Sequence, residues 1–136
     1  MENPVDIVQI SEKEYLVAKN KVVIQDKNIV FIEAHGGQTD EIAKAHLELN
    51  KTITCILNGN VKLLIDLNDA GKSSTEARKI WQKIAEFKST KKVALFGMHP
   101  VAKVLASFVI GVTSNKNILF FSRKDKALDW LLTDND

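Results

Sequence analysis

Residues 91–97 read KKVALFG, residues 98–115 MHPVAKVLASFVIGVTSN, residues 116–122 KNILFFS and residues 123–132 RKDKALDWLL. In that order they are a buried strand, an apolar helix, a second strand and a closing helix, the pattern of one right-handed parallel crossover. Parallel strands need helices over their faces, so the rest of the chain is expected to supply more strands and more covering helices. The fold class read from this stretch is α/β.

Working outward, residues 75–88 carry Ala77, Ile80, Trp81, Ile84 and Phe87 at helical spacing. Ser73 and Glu76 have the spacing of a capping box at the start of that helix. Residues 61–67, VKLLIDL, form an almost continuous apolar run, as expected for a central parallel strand buried on both faces. Residues 68–75, NDAGKSST, read as the loop between them. Further upstream, Ile42, Ala45, Leu49, Ile53 and Ile56 mark another amphipathic helix. Thr39 is its N-cap, Asp40 and Glu41 stand in its first turn, and Asn58-Gly59-Asn60 closes it. Gly36-Gly37 reads as the break between this helix and a strand at residues 28–34. Two shorter β-prone runs, residues 15–18 and 22–24, precede it, with Gln25-Asp26-Lys27-Asn28 as a hairpin turn.

Downstream, His99 stands at an N-cap position with Pro100 first in the apolar helix. Ser122 with Asp125 reads as the cap of the last helix, which buries Ala127, Leu128 and Leu131. The expected architecture is an N-terminal β-meander or hairpin leading into a mixed, largely parallel sheet covered by about four helices. One domain is expected over residues 1–136, with residues 1–12 as a flexible arm or edge strand.

Composition removes several functions. Nineteen Lys and Arg against 17 Asp and Glu give a net charge of only +2, and Arg78 and Arg123 are the sole arginines, so nucleic acid is not an expected partner. The lone Cys55 excludes an intrachain disulfide and a cysteine zinc site, which fits a reducing, cytoplasmic setting. No apolar run approaches the ~18 residues of a membrane span. Gly71-Lys72-Ser73 follows a strand and opens a helix, but a phosphate-binding loop needs a glycine where Asp66 stands, so nucleotide hydrolysis is not expected.

The carrying residues of a family resemblance are LLIDL at 63–67, S-x-E-A-R from Ser74 to Arg78, KVALFG at 92–97, VAKVLASFVIG at 101–111 and FFSRKDKALDWL at 120–131. Together with the element order, they resemble the STAS domain, in particular its SpoIIAA-like branch, a fold also shared with CRAL-TRIO lipid-binding domains. In the sporulation anti-sigma factor antagonists of that branch, an Asp-Ser-Ser-Gly sequence after the central strand is phosphorylated by a partner kinase that is also the anti-sigma factor. Here the serine pair is Ser73-Ser74, flanked by Lys72 and Thr75. The resemblance implies a non-enzymatic regulatory or protein-interaction module, possessing a regulatory protein or kinase as partner and Ser73 and Ser74 as candidate phosphorylation sites. A phosphate there would sit at a helix N-terminus. Read from the residues alone, Ser73 is a helix cap.

The three histidines, His35, His46 and His99, have no zinc-ligand spacing, and no metal or cofactor is expected. His46, on a helix among polar neighbours, reads as solvated. His99 lies at the carboxyl ends of parallel strands, where Asp66 and Asp69 are its candidate partners. No nucleophile with an orienting group accompanies them, so no catalytic residue is assigned; a hydrolase-type activity on His99 and Asp66 trails the other readings.

The helix at 101–112 is apolar almost all round, broken by Lys103 and Ser107, so one face is expected to remain outside. A homodimer contact is favoured there over a lipid groove or burial under the N-terminal arm. Trp81 and Trp130 read as packing residues, and Arg78 as a surface ion pair or anion contact. Asp69, Lys72, Arg78, His99, Lys103, Ser107 and Phe108 make up the candidate ligand or partner surface. The alternative to a regulatory module is a binding domain for a lipid or apolar small molecule in the groove between the helices at 74–88 and 100–112.

Overall fold

The computed structural model describes residues 5–110 and 117–133. Its strands form one seven-stranded sheet whose strand order is the chain order. Strands β1 (Ile7–Gln9), β2 (Glu14–Val17), β3 (Asn20–Gln25) and β4 (Ile29–Gln38) are an antiparallel meander. Strands β5 (Val61–Ser73), β6 (Thr90–Phe96) and β7 (Ile118–Phe121) are then added in parallel. Helices α1 (Asp40–Ile56), α2 (Thr75–Glu86) and α3 (Pro100–Ile110) lie between successive parallel strands in the chain, and α4 (Lys124–Leu131) follows β7. The expected element order, a meander and then alternating helix and strand, is the order found.

The two faces of the sheet are covered unequally. Crossovers of one hand that always step to the next strand place their helices on the same side. Accordingly, Val30, Ile32, Leu63, Ile65, Val93 and Leu95 share a core with Leu49 and Ile53 of α1, Ile80 and Ile84 of α2, and Leu105 of α3. The alternate residues Ile29, Phe31, Leu64, Ala94 and Phe96 meet only the short α4, through Ala127 and Leu131. A lysine of the central sheet fixes that helix: the buried Lys92 donates from Nζ to the carbonyls of Trp130 (2.9 Å) and Thr133 (2.6 Å), and lies 4.9 Å from the Trp130 ring centre. The ammonium thus meets carbonyls at the negative end of the α4 dipole, which offsets the cost of burying it.

Several sequence readings of the elements need correction. Gly36-Gly37 does not end β4, and the stretch read as a loop at 68–75 is mostly strand. The two strands run on in parallel, with His35 opposite Asp69, Gly36 opposite Ala70 and Gln38 opposite Ser73. Glycine makes this extension fit: a Cβ on Gly71 would lie 3.1–3.3 Å from backbone atoms of Gly36 and Gly37, so a side chain there would have to push that backbone back by a few tenths of an ångström. Ile56, read as core, is exposed in the last turn of α1. Ser122 does not cap α4; Arg123 occupies the N-cap without a side-chain cap bond, and its Nε donates to Asp125 Oδ1 at 2.9 Å. That bond holds the Asp125 carboxyl below its ordinary range.

Within the stretch read as an arm or edge strand, residues 7–9 form edge strand β1, while residues 1–4 lie outside the described residues. The apolar helix is described to Ile110, so Val112 and the side chains of Phe108 and Val109 also lie outside them. Its outer side is exposed as expected, with Val101, Val104 and the preceding Met98 open to solvent.

Candidate functional site

Extension of β4 and β5 beyond the rest of the sheet brings the first turns of α1 and α2 together. Thr39 caps α1, its Oγ1 accepting from the Ile42 amide (3.2 Å). Ser74 caps α2, accepting from the Ala77 amide (3.1 Å) while donating to Asp40 of α1, and the Ser74 amide donates to the Gln38 carbonyl (3.0 Å). The cap was expected one residue earlier, at Ser73. Because β5 runs through Ser73, helical geometry starts after Ser74, and Glu76 no longer has the capping-box offset. Ser73 instead offers its carbonyl to Arg78 (3.1 Å), so Arg78 buttresses this turn. Between the two first turns is an open cleft of about 420 Å³, lined by Gly37, Gln38, Thr39, Asp40, Lys72, Ser73 and Ser74.

Behind the cleft is a buried polar cluster that the sequence did not announce. Asn20 Nδ2 donates to Gln38 Oε1 (2.7 Å) and to His46 Nε2 (2.9 Å), and Asn20 Oδ1 accepts from the His35 amide (2.8 Å). Gln38 Nε2 donates to the Gly36 carbonyl (3.0 Å). His46, expected in solvent, is 3% exposed and packs against the Trp81 ring at 4.8 Å between centres. Burial disfavours its charged form and lowers its pKa to about 3, so it is a neutral acceptor at Nε2.

Gln38 and Ser73 also wall a second, partly closed space. It has a volume of about 50 Å³, lies between the sheet and helices α2 and α3, and is lined chiefly by Ile32, Leu63, Ile65, Trp81, Ala85 and Leu105. Ile32 and Trp81 also line a void of about 10 Å³ beside Asn50, whose Nδ2 is buried without a hydrogen-bond partner among the described residues.

The remaining candidates fall elsewhere. Asp69 does not approach His99: its Oδ2 bonds His35 Nδ1 at 2.7 Å, and Glu33 Oε2 stands 3.6 Å from His35 Nε2. Glu33 and His35 alternate with the buried Ile32 and Ala34, so this cluster is on the sheet face away from α1. The bond to Asp69 raises the His35 pKa above its ordinary 6.5, with Glu33 acting in the same direction against partial desolvation. Asp66 does not reach His99 either, since its Oδ1 accepts from the Asn68 amide (2.9 Å). His99 stays at the start of α3, Nε2 donating to the Leu67 carbonyl (3.2 Å) and Nδ1 accepting from the Ala102 amide (3.4 Å). Lys103 and Ser107 border a shallow groove of about 210 Å³ with Ala106, Ile110 and Phe120. Thus Lys72, Ser73, Ser74 and Arg78 come together, while Asp69, His99, Lys103 and Ser107 do not join them. Among the described residues no group of three or more His, Cys, Asp or Glu side chains is arranged to hold a metal ion.

A meander continued by parallel strands, with three helices on one face and one on the other, is the SpoIIAA-like α/β fold. An uncharacterised protein of the DUF3478 family from Shewanella loihica PV-4, itself described as SpoIIAA-like, superposes with a TM-score of 0.56 at 21% identity, covering 96% of this chain and 98% of that one. The anti-sigma factor antagonist SpoIIAA in its unphosphorylated form gives a TM-score of 0.57 at 10% identity, covering 82% and 96%. By sequence the chain belongs to DUF7793, a domain of unknown function, whose family profile matches residues 22–134. No curated protein matches it.

Proposed function

We propose that this chain is a non-enzymatic regulatory module of STAS type that receives a protein partner at the cleft between the first turns of α1 and α2, with Ser73 as the residue a partner kinase modifies. The division of roles between adjacent serines carries the reading. The Ser74 hydroxyl caps α2 and is bonded to Asp40, so a phosphate there would remove the cap and set two negative groups together. Ser73 lines the open cleft beside Lys72, with its hydroxyl outside the cap. A phosphate on Ser73 would face a cation and the positive ends of two helices. Likeness in fold to the anti-sigma factor antagonist supports a protein partner of the regulatory-kinase class. No helix among the described residues is long and apolar enough to cross a membrane, and the cytoplasm is the setting proposed.

The test is fragment-mapped intact mass spectrometry of the chain purified from its own host, beside Ser73→Asp and Ser73→Ala variants. The expected result is a phosphorylated fraction mapped to Ser73 and not to Ser74, and a partner complex that Ser73→Asp weakens and Ser73→Ala retains. Phosphate confined to other residues, or no phosphate under growth and starvation together with an unaltered complex for Ser73→Asp, would sink the reading.

A further inference from the structure

We infer that the partly closed space under α2 and the cleft next to it form one small-molecule site, which takes the aliphatic tail of a monocarboxylate inside and its carboxylate at the mouth beside Lys72. The two spaces are neighbours, because Gln38 and Ser73 line both. The interior, about 50 Å³, is several times the roughly 10–15 Å³ that admits one water. Its walls are almost wholly aliphatic or aromatic, with Ile65, Trp81 and Leu105 among them, so water has few partners there and an alkyl chain replaces it favourably.

The polar groups at the mouth set the head of the ligand. The Gln38 amide is engaged on both atoms by Asn20 and Gly36, which makes it a fixed wall and not a recognition group. Asp40 is held by Ser74 on the α1 side of the cleft and repels an anion from that side. Lys72 and Ser73 line the other side, where the first turn of α2 adds its positive end. A carboxylate therefore has a favourable place on the β5 side, next to the apolar space that Gln38 and Ser73 also wall. The site differs from the groove between α2 and α3 read from the sequence, since it lies beneath those helices on the sheet and borders the cleft at the ends of β4 and β5.

The two tryptophans make the test direct. Trp81 lines the cavity and Trp130 is on the opposite face of the sheet, so Trp130→Phe leaves one reporter in the site. Octanoate, hexanoate and octanol are titrated against this protein below their micelle-forming range while Trp81 emission is followed. A saturable change with octanoate is expected, with binding about threefold weaker for Lys72→Ala, an exposed charge contact. Binding should be lost in Ala85→Leu, which fills the cavity from α2. Thermal melting without ligand checks that the filled variant folds; if it does not, Ala70→Val fills the same space from β5. No saturable change with any of the three compounds overturns the site, as does octanoate binding that survives the filling variants. Octanol binding as tightly as octanoate overturns the carboxylate assignment. Neither result depends on where a kinase places phosphate, so this site and the regulatory reading stand or fall separately.

Discussion

His46 and His35 lie on opposite faces of the sheet, yet one side chain links them: Asn20 bonds His46 through Nδ2 and the His35 backbone amide through Oδ1. His46 exchanges water for Trp81, aliphatic groups and a single amide donor, and its pKa falls to about 3. His35 keeps about a third of its side chain in solvent and gains the Asp69 carboxylate, so its pKa rises. The sign of each shift follows from what takes the place of water. A buried imidazole with a neutral partner behaves as part of the core, whereas an exposed one with a carboxylate behaves as a local ion pair.

The largest test of this contrast removes the link. Asn20→Ala leaves Gln38 Oε1 and the His35 amide without a donor or acceptor in a buried setting, and is expected to cost about 2–4 kcal/mol, read as a fall in urea midpoint. His35→Ala should change the same midpoint by less than about 0.5 kcal/mol, because the pair it removes is exposed. Equal losses would erase the distinction.

Acid comes next. The His46 pKa is lower in the folded state than in the unfolded one, so its contribution is intact above pH 6.5 and is lost as pH falls toward 3, when the unfolded chain binds a proton that the folded chain refuses. Stability should decline by up to about 1.4 kcal/mol per pH unit in that window, and His46→Gln should flatten the slope. His35 runs the other way: its raised pKa stabilises below 6.5 and that contribution fades as pH rises through the folded value, weakly because solvent screens it.

The two serines repeat the contrast on a smaller scale. Ser74→Ala should lower stability by about 1 kcal/mol through loss of the α2 cap, and Ser73→Ala by less than about 0.5 kcal/mol, both by thermal melting. The smallest effect is Asp69→Asn, expected to return the His35 titration toward its ordinary 6.5 in a proton NMR series with little change in melting. A titration midpoint that does not move would remove Asp69 as the cause.

What was legible in the sequence follows from the same physics. Apolar periodicity placed all four helices and the buried strands, because those patterns are local. The α2 cap was legible to within one residue at the Ser73-Ser74 pair, and the error arose because Gly36-Gly37 and the stretch around Gly71 read as a break and a loop, where Gly36 takes a positive φ inside β4 and Gly71 leaves room for two strands to approach. His46 was misread since its partners, Asn20 and Trp81, are far from it in the chain. The His35–Asp69 pair depends on the register of a parallel extension interrupted by irregularities between Glu33 and His35, which no local pattern encodes. Conversely, Lys103 and Ser107 were noticed as polar breaks in an apolar helix, and the structure sets them on a groove apart from the cleft.

Coincidence of strand order with chain order has a consequence for how the molecule is made. Every neighbour in the sheet is also the neighbour in sequence, so no strand has to be inserted between two that are already paired. Loop closure is therefore limited to one hairpin or one crossover at a time, which keeps contact order low for a sheet of this size. A chain synthesised from its N-terminus can extend one growing edge strand by strand. The vulnerable moment comes late: β6, which buries Val93 and Leu95 on one face and Ala94 and Phe96 on the other, is an open apolar edge until β7 and α4 arrive.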